Sequence, residues 1–342
     1  MKCSVIILNW NGASMLRQYL PSVLRFSSLP ECEVVVADNG SSDDSLACLA
    51  QYPDVHVISF SDNYGFAEGY NRALAHTDAE YTVLLNSDVE VTDGWLSSLL
   101  AYMDSHPDVA ACQPKILSLQ SKKEYDKGAV PSVTFEHAGA AGGYIDILGY
   151  PYCRGRILGY VENDHGQYDD IAPVFWASGA CLCIRTDVYK REGGLDGRFF
   201  AHMEEIDLCW RLQCRGHRIV CVPSSVVYHL GGGSLNYENP RKTYLNFRNN
   251  LLMLYKNMPA GKLWWVWIIR FLMDYAASLQ FVLGGKFSNF RTVIRARLDF
   301  WRQRKQYKAD RTVNLRKAVV PFPDVITRRS IVFDYYVRGK RR

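Results

Sequence analysis

The sequence predicts an α/β fold built on a mostly parallel central sheet. Three features of the first third of the 342-residue chain predict it. Short β-branched runs alternate with helical patterns, the runs are almost continuously apolar, and small polar side chains follow each run. Strands without polar alternation are typical of a parallel sheet that helices cover on both faces. In such sheets ligands bind beyond the carboxyl ends of the strands.

The first half of the fold follows from hydrophobic spacing. The β-branched runs predict strands over Val5–Leu8, Val34–Ala37, Val55–Ser59 and Tyr81–Leu85. Helical spacing between these runs predicts helices over Ser14–Leu24, Ser45–Gln51 and Ala67–His76.

The second half begins less regularly. Between Pro114 and Pro173 the chain is rich in Gly and Tyr, which predicts loops and short strands over the sheet. Long loops of this kind usually bind a ligand. Order returns with a strand over Ser178–Arg185, a helix over Glu204–Arg215 that Gly216 ends, and a strand over Arg218–Val222.

Small polar or acidic side chains follow all four strands of the first half. The candidate ligand-binding residues there are Asn9, Asn11, Asp38, Asn63, Gly65, Asn86, Ser87 and Asp88. Turn chemistry alone favours Asn, Asp, Gly and Ser at such places, so one strand exit by itself says little. Four exits at one edge of a sheet indicate a site.

Charge is distributed unevenly along the chain. Residues Pro240–Arg342 hold 23 Lys and Arg against 5 Asp and Glu, whereas the rest of the chain holds 17 against 30. The basic tail therefore suits a polyanion or an anionic lipid surface. Nucleic acid is the less favoured partner, because nothing in the tail resembles a groove-reading module.

The cysteines and the start of the chain predict a cytosolic protein. Ten cysteines are scattered without a C-x-x-C pair, which is typical of reduced and buried thiols. The apolar stretch before Asn9 is too short for the core of a secretory signal. We therefore expect a reducing compartment.

An apolar segment over Leu263–Leu283 opens the basic tail. Arg270, Asp274 and Gln280 interrupt it, which disfavours a membrane-spanning helix. Clustered tryptophans followed by a basic run favour an amphipathic helix at an anionic membrane surface. Packing against the rest of the chain or against a partner is the remaining alternative.

Five motifs occur together in one order and spacing. They are Ser4–Gly12, Asp38–Asp43, Asn63–Ala67, Asn86–Asp88 and Glu204–Arg211. This set resembles the family-2 glycosyltransferases, especially the branch that includes bacterial rhamnosyltransferases, over roughly residues 3 to 235. The resemblance implies the glycosyltransferase A fold, a Rossmann-like unit. We expect a catalytic domain over 1–238, with a nucleotide-binding half (1–115) and an acceptor half (116–238), and a basic, partly amphipathic helical region over 239–342.

The resemblance also implies roles for the donor-binding residues. Asp38 would accept hydrogen bonds from the base or the ribose; an Asx-turn or helix cap formed by Asp38 or Asp43 is the alternative. Asn86–Asp88 takes the place of the family's D-x-D metal motif, but with Asn at its first position. Asp88 and His229 would then hold Mg²⁺ or Mn²⁺, which stabilises the leaving diphosphate as a Lewis acid.

The acidic pair Glu204 and Glu205 corresponds to the family's E-D motif. The second acid of that motif is usually the general base, so the role maps onto Glu205, although carboxylates are also favoured at any helix start. Asp207 and Arg211, four residues apart, are expected to form an ion pair.

The remaining candidates line the donor or sugar pocket. Gly65 and Asn71 are compatible with close approach of the donor, although the segment is not G-x-G-x-x-G, which disfavours a dinucleotide enzyme. Trp176 and Gly179 would line the sugar pocket, with core packing as the alternative for Trp176.

Together these features predict an inverting transfer from a nucleotide-diphosphate-sugar to a lipid-linked or polysaccharide acceptor in cell-surface glycan synthesis. The enzyme would work peripherally on the cytoplasmic face of the membrane. A nucleotidyltransferase is disfavoured because no Gly-rich, Lys-bearing phosphate loop is found. A non-catalytic nucleotide-sugar-binding or scaffold protein is disfavoured because Asp88, Glu204 and Glu205 are all present.

Overall fold

The computed structural model describes residues 1–231, 239–285 and 287–341. The strands are β1 (Cys3–Asn9), β2 (Cys32–Asn39), β3 (His56–Phe60), β4 (Tyr81–Asn86), β5 (Val89–Val91), β6 (Val109–Ser118), β7 (Gly143–Ile145), β8 (Pro151–Cys153), β9 (Arg156–Ile157), β10 (Tyr160–Val161), β11 (Ala172–Pro173), β12 (Cys181–Arg185) and β13 (Arg218–His229).

Helices connect the strands of the first half and make up the end of the chain. They are α1 (Ala13–Phe26), α2 (Ser45–Leu49), α3 (Gly65–Leu74), α4 (Trp95–Ser105), α5 (Leu119–Asp126), α6 (Thr186–Arg191), α7 (Glu204–Cys214), α8 (Pro240–Asn257), α9 (Ala260–Leu283), α10 (Phe287–Gln303), α11 (Lys308–Lys317) and α12 (Ile331–Tyr336). The chain therefore alternates strand and helix at first and ends in helices, as the sequence predicts.

The central sheet runs in the order β11-β13-β6-β12-β4-β1-β2-β3, with β5 paired to β13. Strands β3, β2, β1 and β4 are parallel neighbours, as are β13 and β6. The strand β12 lies antiparallel between β4 and β6 and joins the two parallel groups. The result is the predicted Rossmann-like, mostly parallel sheet.

Both faces of the sheet are buried. Along β1, Ile6 packs into the apolar cluster on one face, while Val5 and Ile7 pack into the cluster on the other. All three side chains are at most 2% exposed. Burial on both faces explains why these strands read as continuous apolar runs rather than alternating ones.

The predicted elements of the first half are confirmed, with boundaries shifted by a few residues. In the second half, the last strand is longer than predicted. It is expected over Arg218–Val222 and continues to His229 as β13. Register shifts in its pairing with β6, between Val222 and Val226, let it bend without ending. The continuation is what carries His229 to the ligand-binding edge of the sheet.

The Gly- and Tyr-rich stretch contains loops and short strands, as expected. Strands β7 to β10 form a small antiparallel sheet beside the central one. The predicted domain boundary after residue 238 lies at the end of a stretch outside the described residues.

The C-terminal helices pack against the rest of the chain through buried charges. Lys256 of α8 donates to Asp207 of α7 at 2.8 Å and to Asp196 at 2.6 Å. Asp207 also pairs with Arg211 at 3.1 Å and accepts from Asn257 at 2.8 Å. The predicted Asp207–Arg211 ion pair is thus present within α7, but it is buried, and the bonds of Asp207 with Lys256 and Asn257 join α7 to α8.

Candidate active site

The first two strand exits are bonded to each other. Asn9, at the end of β1, donates from Nδ2 to Oδ2 of Asp38 at 2.9 Å. Ser41 donates its backbone N–H to Oδ1 of Asp38 at 2.9 Å, and Ser42 donates to Oδ1 of Asn11 at 2.7 Å. Asp38 is 1% exposed. It therefore makes the turn contact that the sequence offers as the alternative, and its role in donor binding stays a prediction.

The third strand exit is fastened to the second by Asn39. Its Nδ2 donates to Oδ1 of Asn63 at 3.1 Å, and its Oδ1 accepts the backbone N–H of Tyr64 at 3.1 Å. Asn63 in turn accepts the N–H of Gly65 at 2.8 Å. The loop before α3 is thereby fixed beside the Asp38 turn, with the half-buried side chain of Asn63 at this edge.

The fourth exit, Asn86–Asp88, is the turn between β4 and β5. Its three side chains are half-buried, so they are reachable from the cleft. A Cβ on Gly12 would lie 3.7 Å from Oγ of Ser87 and would collide with Asn9. The absence of a side chain at residue 12 thus allows the first and fourth exits to come together.

His229 links the fourth exit to the second half of the chain. Residue 229 on β13 pairs with Val89 on β5, directly after Asp88. Its Nε2 lies 3.1 Å from Oδ1 of Asp88, and its Nδ1 lies 3.4 Å from Oε2 of Glu136. Burial lowers the pKa of His229, but the charge and hydrogen bond of Asp88, together with Glu136, outweigh burial and raise it to about 10.

Two of these residues are candidate ligands of a divalent cation. Asp88 Oδ1 and His229 Nε2 lie 3.1 Å apart, and the Glu136 carboxylate lies 3.4 Å from the other ring nitrogen, where carboxylates commonly stand behind histidine ligands of metals. With a pKa of about 10 the imidazole is protonated, so a cation would have to displace the Nε2 proton. Two protein ligands suffice for a cation whose shell is completed by phosphate and water. Among the described residues no cluster of three or more His, Cys, Asp or Glu side chains suited to a metal is found. A cation here would therefore depend on the donor diphosphate.

The acidic pair stands at the end of an unusual loop. Phe200, His202 and Met203 all have positive φ, at 68°, 70° and 76°. Residues other than Gly rarely adopt this backbone conformation. Each such residue destabilises the folded chain unless neighbouring groups hold its backbone in place. The helix α7 begins directly afterwards at Glu204. The loop therefore decides where the two carboxylates point.

Asn249 of α8 holds this loop. Its Nδ2 donates to the carbonyl oxygens of Phe199 at 3.0 Å, Ala201 at 2.9 Å and His202 at 2.8 Å. Arg248 donates to Oδ1 of Asn249 at 2.7 Å, which fixes the orientation of the amide. Sequence reasoning missed Asn249, because the residue lies outside the motifs and only the tertiary fold brings it to the loop.

The two acids differ in environment. Glu204 is 3% exposed, and burial followed by the charge of Glu205 raises its pKa well above the ordinary value. Glu205 is half-buried, and burial raises its pKa to about 7. In the described part of the chain the Oε2 atom of each acid has no hydrogen-bond partner. A buried, unsatisfied carboxyl group in a cleft is typical of a catalytic site.

Gly179 lies beside Glu205 and close in the chain to a residue that bonds the Asn86–Asp88 turn. A Cβ at residue 179 would lie 4.0 Å from Cβ of Glu205 and 3.1 Å from the ring of Phe66. The next residue, Ala180, accepts the backbone N–H of Asn86 at 3.0 Å. Gly179 therefore lies beside Glu205, and the residue after it bonds the Asn86–Asp88 turn. Asp38 lies on the other side, bonded to Asn9 of β1, the strand that pairs with β4.

Two predicted residues have other contacts. Asn71 donates to the carbonyl of Leu195 at 2.7 Å and accepts the hydroxyl of Tyr189 at 2.7 Å, facing a separate cleft of about 790 Å³ that none of Asp38, Asp88 and Glu205 lines. Trp176 is 5% exposed, packs on Gly143 and donates from Nε1 to the carbonyl of Tyr144 at 2.9 Å. These contacts favour a structural role for Asn71 and the packing alternative for Trp176.

Glu136 is a further residue that sequence reasoning missed. It is 5% exposed and accepts the backbone N–H of Ala138 as well as contacting His229. Its pKa is lowered, because the hydrogen bond and charge of His229 outweigh the burial that would raise it. It lies in the Gly- and Tyr-rich stretch, where the sequence carried no signal beyond the expectation of a ligand-binding loop.

The family model described as "Glycosyl transferase family 2" matches residues 4–156 of this chain. Over 237 residues the chain is 28% identical to the N-acetylglucosaminyl-diphospho-decaprenol L-rhamnosyltransferase of Mycobacterium tuberculosis, covering 66% of this chain and 75% of that protein. The fold is similar to S. aureus TarS 1-349 in complex with UDP-GlcNAc, with a TM-score of 0.57 and 17% identity, covering 99% of this chain and 93% of that one. It is also similar to the mannosyltransferase PcManGT from Pyrobaculum calidifontis in complex with GDP-Man and Mn²⁺, with a TM-score of 0.52 and 13% identity over 92% and 85% of the two chains.

Proposed function

We propose that the chain is a family 2 glycosyltransferase that transfers a sugar from a nucleotide sugar with inversion, and that Glu205 is its general base. The observation that carries the proposal is the Glu205 carboxyl group itself. It is half-buried, its Oε2 has no hydrogen-bond partner among the described residues, and it lies beside Gly179, whose neighbour Ala180 bonds the backbone of Asn86. Glu204 is more deeply buried, which suits it less for contact with an acceptor.

The chemistry follows from one carboxylate on the acceptor side. Glu205 would take the proton of the acceptor hydroxyl as that oxygen forms its bond to the anomeric carbon. The bond from that carbon to the diphosphate oxygen breaks on the opposite side, so the configuration inverts and a nucleoside diphosphate leaves. A pKa of about 7 leaves Glu205 partly ionised near neutral pH, as a base requires.

The leaving diphosphate would be held at the Asp88 side of the cleft. Asp88 and His229 would hold Mg²⁺ or Mn²⁺, with Glu136 orienting the imidazole. When bound, such a cation neutralises charge that develops on the departing diphosphate. The Mn²⁺ in the mannosyltransferase of the same fold supports this assignment.

The donor base and ribose would bind at the first three strand exits, next to Asp38, Asn11 and Asn63. The M. tuberculosis rhamnosyltransferase, whose name specifies a lipid diphosphate acceptor, supports L-rhamnose as the first donor sugar to test. It also supports a lipid-linked acceptor over a polysaccharide one. With such an acceptor the enzyme would work on the cytoplasmic face of the membrane.

A donor screen tests the proposal. Purified protein would be heated with dTDP-, UDP- and GDP-sugars, each with and without Mn²⁺, and a true donor should raise Tm by roughly a few degrees when it is present far above its Kd. Turnover should then release a nucleoside diphosphate, stop in EDTA and resume with Mg²⁺ or Mn²⁺.

The outcomes separate the rival functions. A nucleotidyltransferase would release no nucleoside diphosphate from these donors but, given pyrophosphate, would convert them to a nucleoside triphosphate and a sugar 1-phosphate. A non-catalytic sugar-nucleotide binder would show the thermal shift without release of any product. Full turnover in EDTA would remove the cation from the account while leaving Glu205 in place.

A further inference from the structure

The helix α9 turns buried polar side chains towards the protein and many apolar side chains outward, which is the reverse of an ordinary surface helix. Arg270, Asp274 and Ser278, spaced by four residues, face the protein and are at most 2% exposed. Leu263 and Val266 are buried, but many other large apolar side chains of the helix face outward. They include Trp264 (61% exposed), Ile268 (57%), Phe271 (50%), Leu272 (64%), Leu279 (56%) and Leu283 (82%). A soluble surface helix shows the opposite arrangement.

The inward face is held by a buried charge network. Arg270 donates to Oδ1 of Asn250 at 2.6 Å and to the carbonyl of Leu148 at 3.1 Å, and it stacks over the ring of Tyr150 at 3.9 Å. Asp274 accepts from Arg270 at 3.3 Å and also from Arg297 of α10. The network ties α9 to α8, to α10 and to the loop after β7.

This network disfavours a crossing of the membrane. By length and composition alone α9 could span one, since it has 24 residues and a mean hydropathy of 1.4 over its most apolar window, and it is the one such helix among the described residues. Insertion would strip Arg270 and Asp274 of their partners and move two charges into hydrocarbon. A charge at the centre of a bilayer is unfavourable, and breaking a buried ion pair adds to that cost.

The neighbouring helix supplies positive charge. Exposed side chains of α10 include Arg291, Arg295 and Arg302 together with the apolar Leu298 and Trp301. The acidic residue of α10, Asp299, is already engaged by Tyr244 at 2.8 Å and lies within 3.6 Å of Arg295. An apolar stripe beside arginines is complementary to an anionic lipid headgroup layer.

We propose that the outward face of α9, with the exposed arginines of α10, binds in the plane of an anionic bilayer surface without crossing it. The inference deepens the proposed function, because it would hold the catalytic domain at the surface where a lipid-linked acceptor presents its sugar. It rests on the proposed function only for that role.

Vesicle flotation of the purified full chain tests the inference. Vesicles of phosphatidylcholine alone would be compared with vesicles that contain roughly a quarter phosphatidylglycerol. The test variant is Trp264→Ser/Ile268→Ser/Leu272→Ser, which alters side chains that are already exposed. The matched control is Leu46→Ser/Ile171→Ser, whose side chains are 45% and 48% exposed elsewhere on the surface.

The wild type and the control should float with the anionic vesicles and much less with the neutral ones. The test variant should lose at least about tenfold in partition coefficient, since each buried apolar side chain contributes about 1.5 kcal/mol or more. Bound wild type should be released by alkaline carbonate, as a protein that does not cross the bilayer.

Three outcomes would overturn the inference: equal flotation of the test variant, resistance of the wild type to carbonate, or a wild-type dimer that the test variant converts to monomer. Release of nucleoside diphosphate from the donor in solution should be the same for the wild type and the test variant. If neither protein released nucleoside diphosphate, the result would count against the proposed function but not against the membrane-binding surface. The two failures are therefore distinguishable.

Discussion

The proposed catalytic site has two sides: the donor side, at the ends of the first strands, and the base side, at the start of α7 with Glu205. Different kinds of contact hold each side in place. On the donor side, neighbouring strand exits bond to one another, as Asn9 does to Asp38 and Asn39 to Asn63. On the base side, the loop before Glu205 has strained backbone and is held by Asn249, a residue of the C-terminal helices. A cleft can therefore have one side that short motifs encode and another that depends on remote packing.

The largest expected effect is on the base itself. Glu205→Gln should lower kcat by about 10²- to 10⁴-fold, because it removes the group that we propose takes the acceptor proton while keeping the shape of the side chain. Donor Kd, measured by isothermal titration, should stay within about twofold. Glu204→Gln is the matched variant and should lose far less, since a buried carboxyl group with a raised pKa already resembles an amide. The reverse ranking would move the base to Glu204.

The second largest effect is expected on stability, through the contacts between α7, which carries Glu205, and the C-terminal helix α8. Lys256→Met removes one of two cations from Asp207, which keeps Arg211, and from Asp196, which keeps Arg198, so the free energy of unfolding should fall by about 1–3 kcal/mol in urea titrations. Arg302→Met, at a side chain that is 75% exposed, should change it by less than about 0.5 kcal/mol. Equal changes in the two variants would mean that the network does not join α7 to α8 as described.

Asn249→Ala tests whether the loop before Glu205 can be disturbed without a change in donor binding. The loop carbonyls of Phe199, Ala201 and His202 lose their donor, so the loop should shift and kcat should fall by roughly 10- to 100-fold. Donor Kd should be preserved, because Asp38 and Asn63 are held by other bonds. Asn246→Ala, one turn earlier on the same helix, serves as the control. A parallel loss of donor affinity and kcat would indicate general unfolding and not a role in positioning.

The smallest effect is a pH dependence. Below about pH 7 Glu205 is protonated and cannot accept a proton, so kcat/KM should rise as pH increases through about 7 and level off above it. The folded pKa lies above the unfolded one, so the Glu205 contribution to stability is complete at low pH and declines as pH rises towards 7. Glu205→Gln should therefore lose this rise in rate and be more stable than the wild type at pH 8. A rate limb at pH 7 that persists in Glu205→Gln would assign the titration to another group.

The donor side of the site could be predicted from the sequence. Parallel strands put their carboxyl ends at one edge, so the strand pattern alone predicts that Asn9, Asp38, Asn63 and Asp88 lie together. Local turn chemistry adds to this, because the Asp38 turn closes on itself through Ser41.

The base side could be predicted only in part. The start of α7 at Glu204 follows from helix spacing, but the run of positive φ at Phe200, His202 and Met203 does not, since Phe and Met rarely adopt that backbone and His does so only somewhat more often. Asn249 and Glu136 act through contacts between positions far apart in the chain, which no local pattern encodes. For α9 the sequence favours a helix at a membrane surface over packing against the chain, but it does not predict that Arg270 and Asp274 are the residues that anchor the inward face.

The anomeric configuration of the transferred sugar tests the central claim most directly. With a donor from the screen and an acceptor in hand, the product would be isolated after one turnover, and NMR would give the one-bond carbon–proton coupling at the new linkage. A single displacement driven by one carboxylate predicts a linkage opposite in configuration to the donor. A retained configuration would contradict the account, since it requires either two displacements or attack from the face that the diphosphate leaves.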